Sequence, residues 1–142
     1  MFEKIFVYGT LMSGFDNDFA TVLHQQVYKV VPAFITGKLY IVTNWIFPYP
    51  KAAYIPNSPL KIYGELLYLD KTIDSDTLVS LLDEYEGVDL TYPEKGEYLR
   101  KVIPVLTEKG TEQAWAYVQN HSNSNLDIIP SGDFRQYLLE NK

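Results

Sequence analysis

Short apolar segments with a strong preference for β-structure recur along the chain and limit its possible folds more than any other feature. They are separated by Pro, Gly, Asn or charged residues, which is typical of strands that end at turns. The first segment is apolar through its centre and predicts a strand buried on both faces in the middle of a sheet. The predicted strands are Lys4 to Tyr8, Val27 to Val31, Lys38 to Val42, Ile62 to Leu69, Leu99 to Leu106 and Ala114 to Val118.

Helical periodicity is convincing in only two places, Ser75 to Glu86 and Phe134 to Glu140, and is weaker from Asp18 to Gln26. The pattern contains too many strands for a helical bundle and lacks the strand-helix alternation of a doubly wound fold. We therefore expect an α+β fold in which a small barrel-like mixed β-sheet carries flanking helices. The longest irregular connection is Thr43 to Pro59, which contains four prolines and is predicted to be a functional or variable loop.

Composition narrows the class of protein. A chain of 142 residues with 46% hydrophobic content can bury one core, so we expect a single domain over residues 1–142. A net charge of -6 without any basic run argues against a nucleic-acid partner. The absence of cysteine excludes disulfides and thiolate metal sites. Without a signal peptide or a membrane-spanning run, the expected protein is soluble and cytoplasmic, with no membrane partner.

The predicted helix Ser75 to Glu86 ends in three acidic residues, of which one differs from the others. Asp83 and Glu84 fall away from the apolar stripe, whereas Glu86 lies at its edge. Partial desolvation and the negative end of the helix dipole would raise the pKa of Glu86, as a proton shuttle requires. The alternative is a glutamate at a frayed helix end that points into water. The apolar stripe consists of Leu78, Leu81, Leu82 and Tyr85, with Asp74 or Ser75 as the N-cap and Gly87 as the stop.

The turn Tyr8-Gly9-Thr10-Leu11 follows the first predicted strand and is the second candidate site. Gly9 permits close approach and unusual dihedrals, so successive backbone N–H groups could bind an anion or a carbonyl oxygen. The spacing and lysine of a P-loop are missing, and no Gly-rich dinucleotide motif follows any strand. The alternative is an ordinary turn in which Tyr8 packs into the core.

Other polar residues give weaker indications. The two histidines, His24 and His121, are far apart in sequence, so we expect neither a metal site nor a histidine-based triad. A pair of carboxylates, for instance Glu86 with Glu65, would suit a hydrolase. Arg100 could bind a substrate carboxylate or could lie on the solvated face of its strand. An aromatic set could line a pocket or belong to the core, namely Tyr40, Trp45, Phe47, Tyr49 and Tyr54.

Taken in order, these motifs resemble the γ-glutamylcyclotransferase-like family, including its γ-glutamylamine cyclotransferase branch. Val7 to Leu11 is similar to the family's opening substrate loop, and Leu82-Asp83-x-x-Glu86-Gly87 to the segment with its catalytic glutamate. Further motifs extend the resemblance over nearly the whole chain: Gly37-Lys38-Leu39-Tyr40, Ile62-Tyr63-Gly64-Glu65-Leu66, Tyr98-x-Arg100, Ala114-Trp115-Ala116-Tyr117 and Ile129-Pro130-Ser131-Gly132-Asp133-Phe134.

The resemblance implies a barrel-like fold and an enzyme that closes a γ-glutamyl group to 5-oxoproline with release of an amine or amino acid. It implies that Glu86 transfers protons and that the substrate contacts Tyr8, Gly9, Thr10, Leu11 and Tyr117. The implied partner is a small γ-glutamyl compound, and no cofactor or metal is needed. The rival interpretation is a non-catalytic small-molecule-binding domain of the same fold.

Overall fold

The computed structural model describes residues 3–43, 48–70, 75–120 and 126–141. Within these ranges the chain forms a mixed sheet with helices around it. The strands are β1 (Lys4–Val7), β2 (Val27–Val42), β3 (Tyr49–Tyr54), β4 (Lys61–Leu69), β5 (Tyr98–Thr107), β6 (Gly110–Gln119) and β7 (Asp127–Ile128). The helices are α1 (Asp18–His24), α2 (Ser75–Glu86) and α3 (Phe134–Glu140), with a 3₁₀ turn at Pro93–Lys95.

The sheet closes into a small barrel around β1. This strand pairs antiparallel with β4 on one side and parallel with β6 on the other, and Ile5, Phe6 and Val7 are buried. β4 continues to β2 and β6 to β5, and a bridge between Phe34 and Leu106 joins β2 to β5. The ring β2-β4-β1-β6-β5 confirms the predicted α+β fold with a barrel-like mixed sheet and a central first strand.

The second strand differs from its prediction. We expected separate strands at Val27 to Val31 and Lys38 to Val42, but β2 is continuous over 16 residues. Gly37 has a φ of +149° and lies inside the strand, where it redirects the chain without ending the pairing. The first half of β2 pairs with β4 in the barrel, and the second half pairs with β3 and β7 outside it.

The prediction of an irregular connection from Thr43 to Pro59 was wrong in its centre. The strand β3 runs through this segment and pairs antiparallel with the second half of β2. Pro50 is compatible with a strand here because β3 is at the edge of the sheet, where one face of its backbone needs no partner. Trp45 and Phe47 lie outside the described residues. The result is a proline-containing edge strand beside the loop that follows β1.

The three helices occur where periodicity predicted them, although α1 ends at His24 rather than at Gln26. Leu78 and Leu82 of α2 are buried, as the apolar stripe predicted. Helix α2 ends at Gly87, where the N–H of Val88 donates to the carbonyl of Asp83 at 2.9 Å. The proposed N-cap at position 74 lies outside the described residues. The hydrogen bond from Val88 to Asp83 fixes the carboxyl end of α2, where Glu86 is the last residue.

Candidate active site

A cavity of about 280 Å³ opens between the segment after β1, the end of α2 and the starts of β3 and β5. Its volume is close to the lower end of the range for small-molecule sites. The residues that the family resemblance indicated as site residues all line it: Tyr8, Gly9, Thr10, Leu11, Glu86 and Tyr117. The structure adds others that were not predicted as site residues, among them Pro50, Tyr85, Glu97 and Tyr98, and it places Tyr49 of the aromatic set in the wall.

The loop after β1 is held through its carbonyl groups. The carbonyl of Gly9 accepts from the N–H of Met12 at 3.0 Å, and that of Thr10 accepts from Asn17 Nδ2 at 2.9 Å. His24 Nε2 lies 2.8 Å from the carbonyl oxygen of Leu11, which makes this ring nitrogen a donor. In contrast, no described residue accepts a hydrogen bond from the N–H groups of Gly9, Thr10 or Leu11. All three residues line the cavity, and their N–H groups have no acceptor in the described part of the chain.

Close packing against β3 explains the glycine in this loop. Gly9 is buried, and a Cβ atom built on it would lie 2.8 Å from Cγ of Pro50, closer than side-chain carbons approach one another. Any larger residue at position 9 would push the loop and β3 apart. Gly9 thus sets the width of the cavity at this point.

Glu86 differs from its buried neighbour Asp83 in having no side-chain partner among the described residues. No described residue donates a hydrogen bond to its carboxyl group or forms an ion pair with it, and the residue stays partly exposed to the cavity. Burial, followed by the charge of Glu97, raises the pKa of Glu86 from 4.5 to about 8. The sequence interpretation of Glu86 as the desolvated acid at the edge of the stripe agrees with this placement. Its catalytic role stays a prediction.

Glu97 is a second cavity acid that sequence reasoning missed. It directly precedes β5, and its Oε2 accepts from Tyr49 Oη at 2.6 Å and pairs with Lys51 Nζ at 3.0 Å. Neither contact follows from local sequence, because both partners lie on β3. No local periodicity marks position 97, so no signal in the sequence alone could have found it.

The alternative carboxylate pair of Glu86 with Glu65 is wrong. Glu65 is 8% exposed, does not line the cavity, and accepts from the N–H of Ser13 at 2.7 Å and from the Ser13 hydroxyl. Arg135 Nη2 pairs with it at 3.2 Å. Burial alone would raise the pKa of Glu65, but the hydrogen bonds of Ser13 and the charge of Arg135 lower it. Glu65 therefore fixes the far end of the β1 loop to the barrel.

The cavity tyrosines use their hydroxyl groups to hold the walls together. Tyr8 donates to the carbonyl of Tyr117 at 2.5 Å and accepts from the N–H of Ala52 at 3.3 Å. Tyr98 donates to the carbonyl of Pro50 at 2.7 Å. Burial raises the pKa of Tyr8, Tyr98 and Tyr117, so these phenols stay neutral. Tyr8 and Tyr117 line the cavity as predicted, but their hydroxyl groups already have protein partners.

Asp83 was predicted to lie away from the apolar stripe, and this was wrong. It is 5% exposed, and its Oδ1 accepts from Arg100 Nε at 2.9 Å and from Tyr117 Oη at 2.7 Å. Arg100 therefore pairs with Asp83, does not line the cavity, and also packs against the ring of Trp115. The pairing of Arg100 with Tyr117 across β5 and β6 brings both donors to the end of α2. This network supports the helix turn that carries Glu86.

Within the described ranges the structure contains neither a group of metal ligands nor a helix suited to cross a membrane. No three His, Asp or Glu side chains are grouped as a metal site there. His24 holds the β1 loop, whereas His121 lies outside the described residues. None of the helices in the described part has the length and apolar character needed to traverse a bilayer.

Comparison with known proteins identifies the family. Residues 5–136 match the family described as gamma-glutamyl cyclotransferase, AIG2-like. The chain belongs to this family. A search of curated protein sequences found no significant match. The match to the family runs from Ile5 in β1 to Gln136 in the first turn of α3, so it includes both the loop at Gly9 and the helix end at Glu86.

Several solved structures share the fold of this chain. An AIG2-like protein from Mus musculus has a TM-score of 0.61 and 20% identity, with 92% of this chain and 88% of that chain covered. YtfP from Escherichia coli has a TM-score of 0.54 and 24% identity over 98% of this chain and 99% of that chain. YkqA from Bacillus subtilis has a TM-score of 0.67 and 24% identity over the whole of this chain, which spans 44% of YkqA. At these identities the likeness shows the fold.

Proposed function

We propose that this chain is a γ-glutamyl cyclotransferase that converts a small γ-glutamyl amine or peptide into 5-oxoproline and a free amine. The observation that carries the proposal is one cavity lined both by Glu86, whose carboxyl group has no partner among the described residues, and by Gly9 to Leu11, whose N–H groups have no acceptor there. An acid without a partner is expensive to bury, so its place in a cavity wall favours a chemical use. Membership of the AIG2-like family supports the same reaction.

The α-ammonium must lose two protons to become the ring N–H of 5-oxoproline, and the departing nitrogen gains two to leave as an ammonium ion. Glu86 takes the first proton from the α-ammonium, and the resulting amine attacks the γ-carbonyl carbon. A C–N bond forms in the new five-membered ring, Glu86 gives its proton to the γ-nitrogen, and the original γ-amide C–N bond breaks. The regenerated carboxylate then takes the second proton from the ring nitrogen and passes it to the released amine. The atoms balance as γ-glutamyl amine to 5-oxoproline plus amine, and no step requires a metal or a redox cofactor.

The cavity suits this chemistry in two ways. Ring closure is intramolecular, so a narrow site that folds the glutamyl chain gains rate from orientation. The pKa of about 8 for Glu86 lies near the operating pH, which allows the same carboxyl group to act first as base and then as acid. The N–H groups of the loop supply donors for the α-carboxylate or for the oxyanion that develops on the γ-carbonyl oxygen.

A direct assay tests the proposal. The protein is incubated with a panel of γ-glutamyl amines and γ-glutamyl peptides, and 5-oxoproline is measured. For the best substrate, Glu86→Gln should lower kcat by about 100- to 10,000-fold, because the amide cannot exchange the proton. Glu84→Gln is the matched control, since Glu84 is exposed on the same helix and should leave the rate unchanged.

Two results would contradict the proposal. One is equal turnover by the parent and by Glu86→Gln, which would remove Glu86 from the mechanism. The other is thermal stabilisation by γ-glutamyl compounds without any product, whichever residue stands at position 86. That second result would favour a non-catalytic binding domain of the same fold.

A further inference from the structure

The two acidic residues of the cavity, Glu86 and Glu97, lie at the two ends of a loop that is closed by a backbone hydrogen bond. Glu86 precedes it and Glu97 follows it, and the N–H of Glu97 donates to the carbonyl of Gly87 at 2.8 Å. Asn120 Nδ2 donates to the carbonyls of Pro93 and Gly96 at 2.7 and 2.8 Å and holds the returning strand of the loop. These contacts hold the backbone at both ends of the loop, so they fix the positions from which the side chains of Glu86 and Glu97 reach the cavity.

The two oxygens of Glu97 have different surroundings. Oε2 takes both the hydroxyl of Tyr49 and the ammonium of Lys51. No described residue donates a hydrogen bond to Oε1, and the Glu97 side chain is 39% exposed beside the cavity. The Lys51 side chain is only 13% exposed, so this largely buried lysine holds Oε2 of Glu97 in place. One carboxylate oxygen is thus left to accept a hydrogen bond from a ligand.

The other polar side chains of the described wall are already bonded to the protein. The hydroxyls of Tyr8 and Tyr98 contact backbone groups, and that of Tyr117 contacts Asp83. Thr10 and Tyr85 share a hydrogen bond of 2.5 Å. The acceptors that remain among these side chains are the carboxyl group of Glu86 and Oε1 of Glu97. A cationic ligand group would therefore be recognised by these two acids.

A γ-glutamyl group carries one negative and one positive charge on its α-carbon. Its carboxylate matches the unpaired N–H groups of Gly9 to Leu11, and its ammonium needs an acceptor of opposite charge. Glu86 is a poor partner for initial binding because its pKa of about 8 leaves it mostly protonated at pH 7. Glu97 can accept a hydrogen bond from the ammonium through Oε1 while Oε2 keeps its ion pair with Lys51.

We propose that Glu97 Oε1 binds the α-ammonium of the γ-glutamyl substrate and presents it to Glu86. This inference rests on the proposed function and adds a substrate-binding residue to it. The two acids then divide the work: Glu97 holds the ammonium in place, and Glu86 exchanges its proton. The 3.0 Å ion pair with Lys51 and the hydrogen bond from Tyr49 keep the binding carboxylate oriented.

Binding measurements in an inactive background test this assignment without depending on turnover. The protein with Glu86→Gln is titrated by calorimetry with L-γ-glutamyl methylamide and with glutaric acid monomethylamide, which lacks only the α-ammonium. We expect the first ligand to bind about 10- to 100-fold more tightly, the range for a hydrogen bond to a charged group. In Glu86→Gln with Glu97→Gln this preference should fall below about threefold.

Controls separate an ammonium contact from general damage. Glu112→Gln in the same background removes a carboxylate that pairs with Lys4 outside the cavity, and it should leave the preference unchanged. Glu97→Asp keeps the charge but withdraws it by one methylene, so it should give an intermediate preference. Thermal unfolding of each variant verifies that it is folded before titration.

The outcomes are decisive for the inference. An unchanged preference after Glu97→Gln, an equal loss of affinity for both ligands, or no binding of either ligand to the folded protein would overturn it. If the Glu97-dependent preference appears but the parent forms no 5-oxoproline from any compound, the ammonium site stands and the proposed reaction fails. The two proposals can therefore fail separately.

Discussion

The N–H of Glu97 donates a 2.8 Å hydrogen bond to the carbonyl of Gly87, and this contact brings the two acids of the cavity together although ten residues of sequence separate them. Gly87 ends α2 immediately after Glu86, and Glu97 begins the approach to β5. The loop between them therefore closes on itself at the cavity. Its closure lets the charge of Glu97 act on the proton affinity of Glu86.

The pH dependence of activity should report Glu86. The base form is the carboxylate, and burial with the charge of Glu97 raises the pKa of Glu86 to about 8. We expect kcat/KM to rise with pH by about tenfold per unit below pH 8 and then to level off. Initial rates of 5-oxoproline formation, measured between pH 5.5 and 9 at steps of about one pH unit or less, define this rise in kcat/KM. A flat profile would remove Glu86 as the titrating base.

Removal of the charge of Glu97 should shift the rising part of the kcat/KM profile along the pH axis. The charge of Glu97 raises the pKa of Glu86. Glu86 in turn raises the pKa of four neighbouring phenols, which stay neutral in this pH range: Tyr8, Tyr85, Tyr98 and Tyr117. Glu97→Gln leaves only burial to raise the pKa, so the rising limb of kcat/KM should shift to lower pH. Glu112→Gln, far from the cavity, provides the control profile. A shift to higher pH would contradict the assigned interaction.

Stability should also depend on pH through Glu86. The folded-state pKa is raised above 4.5, so the protonated form favours folding fully below pH 4.5, and this contribution is lost as pH rises through about 8. Glu86→Gln cannot ionise, and relative to the parent it should gain on the order of 2 kcal/mol between pH 5 and 9, after allowance for solvent in the cavity. Urea midpoints at both pH values measure the difference. A constant difference would argue against a buried ionisable Glu86.

The Asp83 network should contribute to stability and only indirectly to activity. Asp83→Asn leaves Arg100 without its charged partner in a largely buried position, and we expect a loss of about 3 kcal/mol in the free energy of unfolding. Glu84→Gln, exposed on the same turn, should change it by less than about 0.5 kcal/mol. Urea unfolding of the three proteins at pH 7 provides the comparison. Similar midpoints for both variants would show that the network is not needed for folding.

Local sequence patterns were sufficient wherever a local cause determined the structure. Apolar periodicity located α2, and the position of Glu86 relative to Leu82 separated it from the exposed Glu84, although not from the buried Asp83. The central strand β1 was predicted because an apolar run without alternation requires burial on both faces. These features depend on residues within a few positions of each other.

Features set by distant residues could not be predicted in this way. Asp83 is buried because Arg100 and Tyr117 arrive from β5 and β6, and helix periodicity carries no information about them. Glu97 enters the cavity because its loop closes on Gly87 and its carboxylate meets β3. The strand β3 was itself missed because prolines suggest loops, whereas an edge strand tolerates them. Tertiary contacts therefore explain these errors.

The hydroxyl of Tyr8 should matter more for folding than for substrate affinity. It connects the carbonyl of Tyr117 with the N–H of Ala52, so its hydrogen bonds are used inside the protein. Tyr8→Phe should lower the free energy of unfolding by about 1–3 kcal/mol and change KM by less than about threefold. Urea unfolding and steady-state assays of the same preparation measure both. A large rise in KM with unchanged stability would instead show that the hydroxyl contacts substrate.

Gly9 should control the fit of the substrate loop through its contact with β3. A Cβ atom at position 9 would lie 2.8 Å from Cγ of Pro50, so Gly9→Ala must displace the loop and its N–H groups. We expect kcat/KM to fall by about 10- to 100-fold, since small misplacements of binding groups carry large costs in rate. Pro50→Ala removes the clashing Cγ, so the double variant should recover part of the loss relative to Gly9→Ala. If Pro50→Ala gives no recovery, the effect of Gly9→Ala does not arise from contact with β3, and the loop is sensitive to position 9 for another reason.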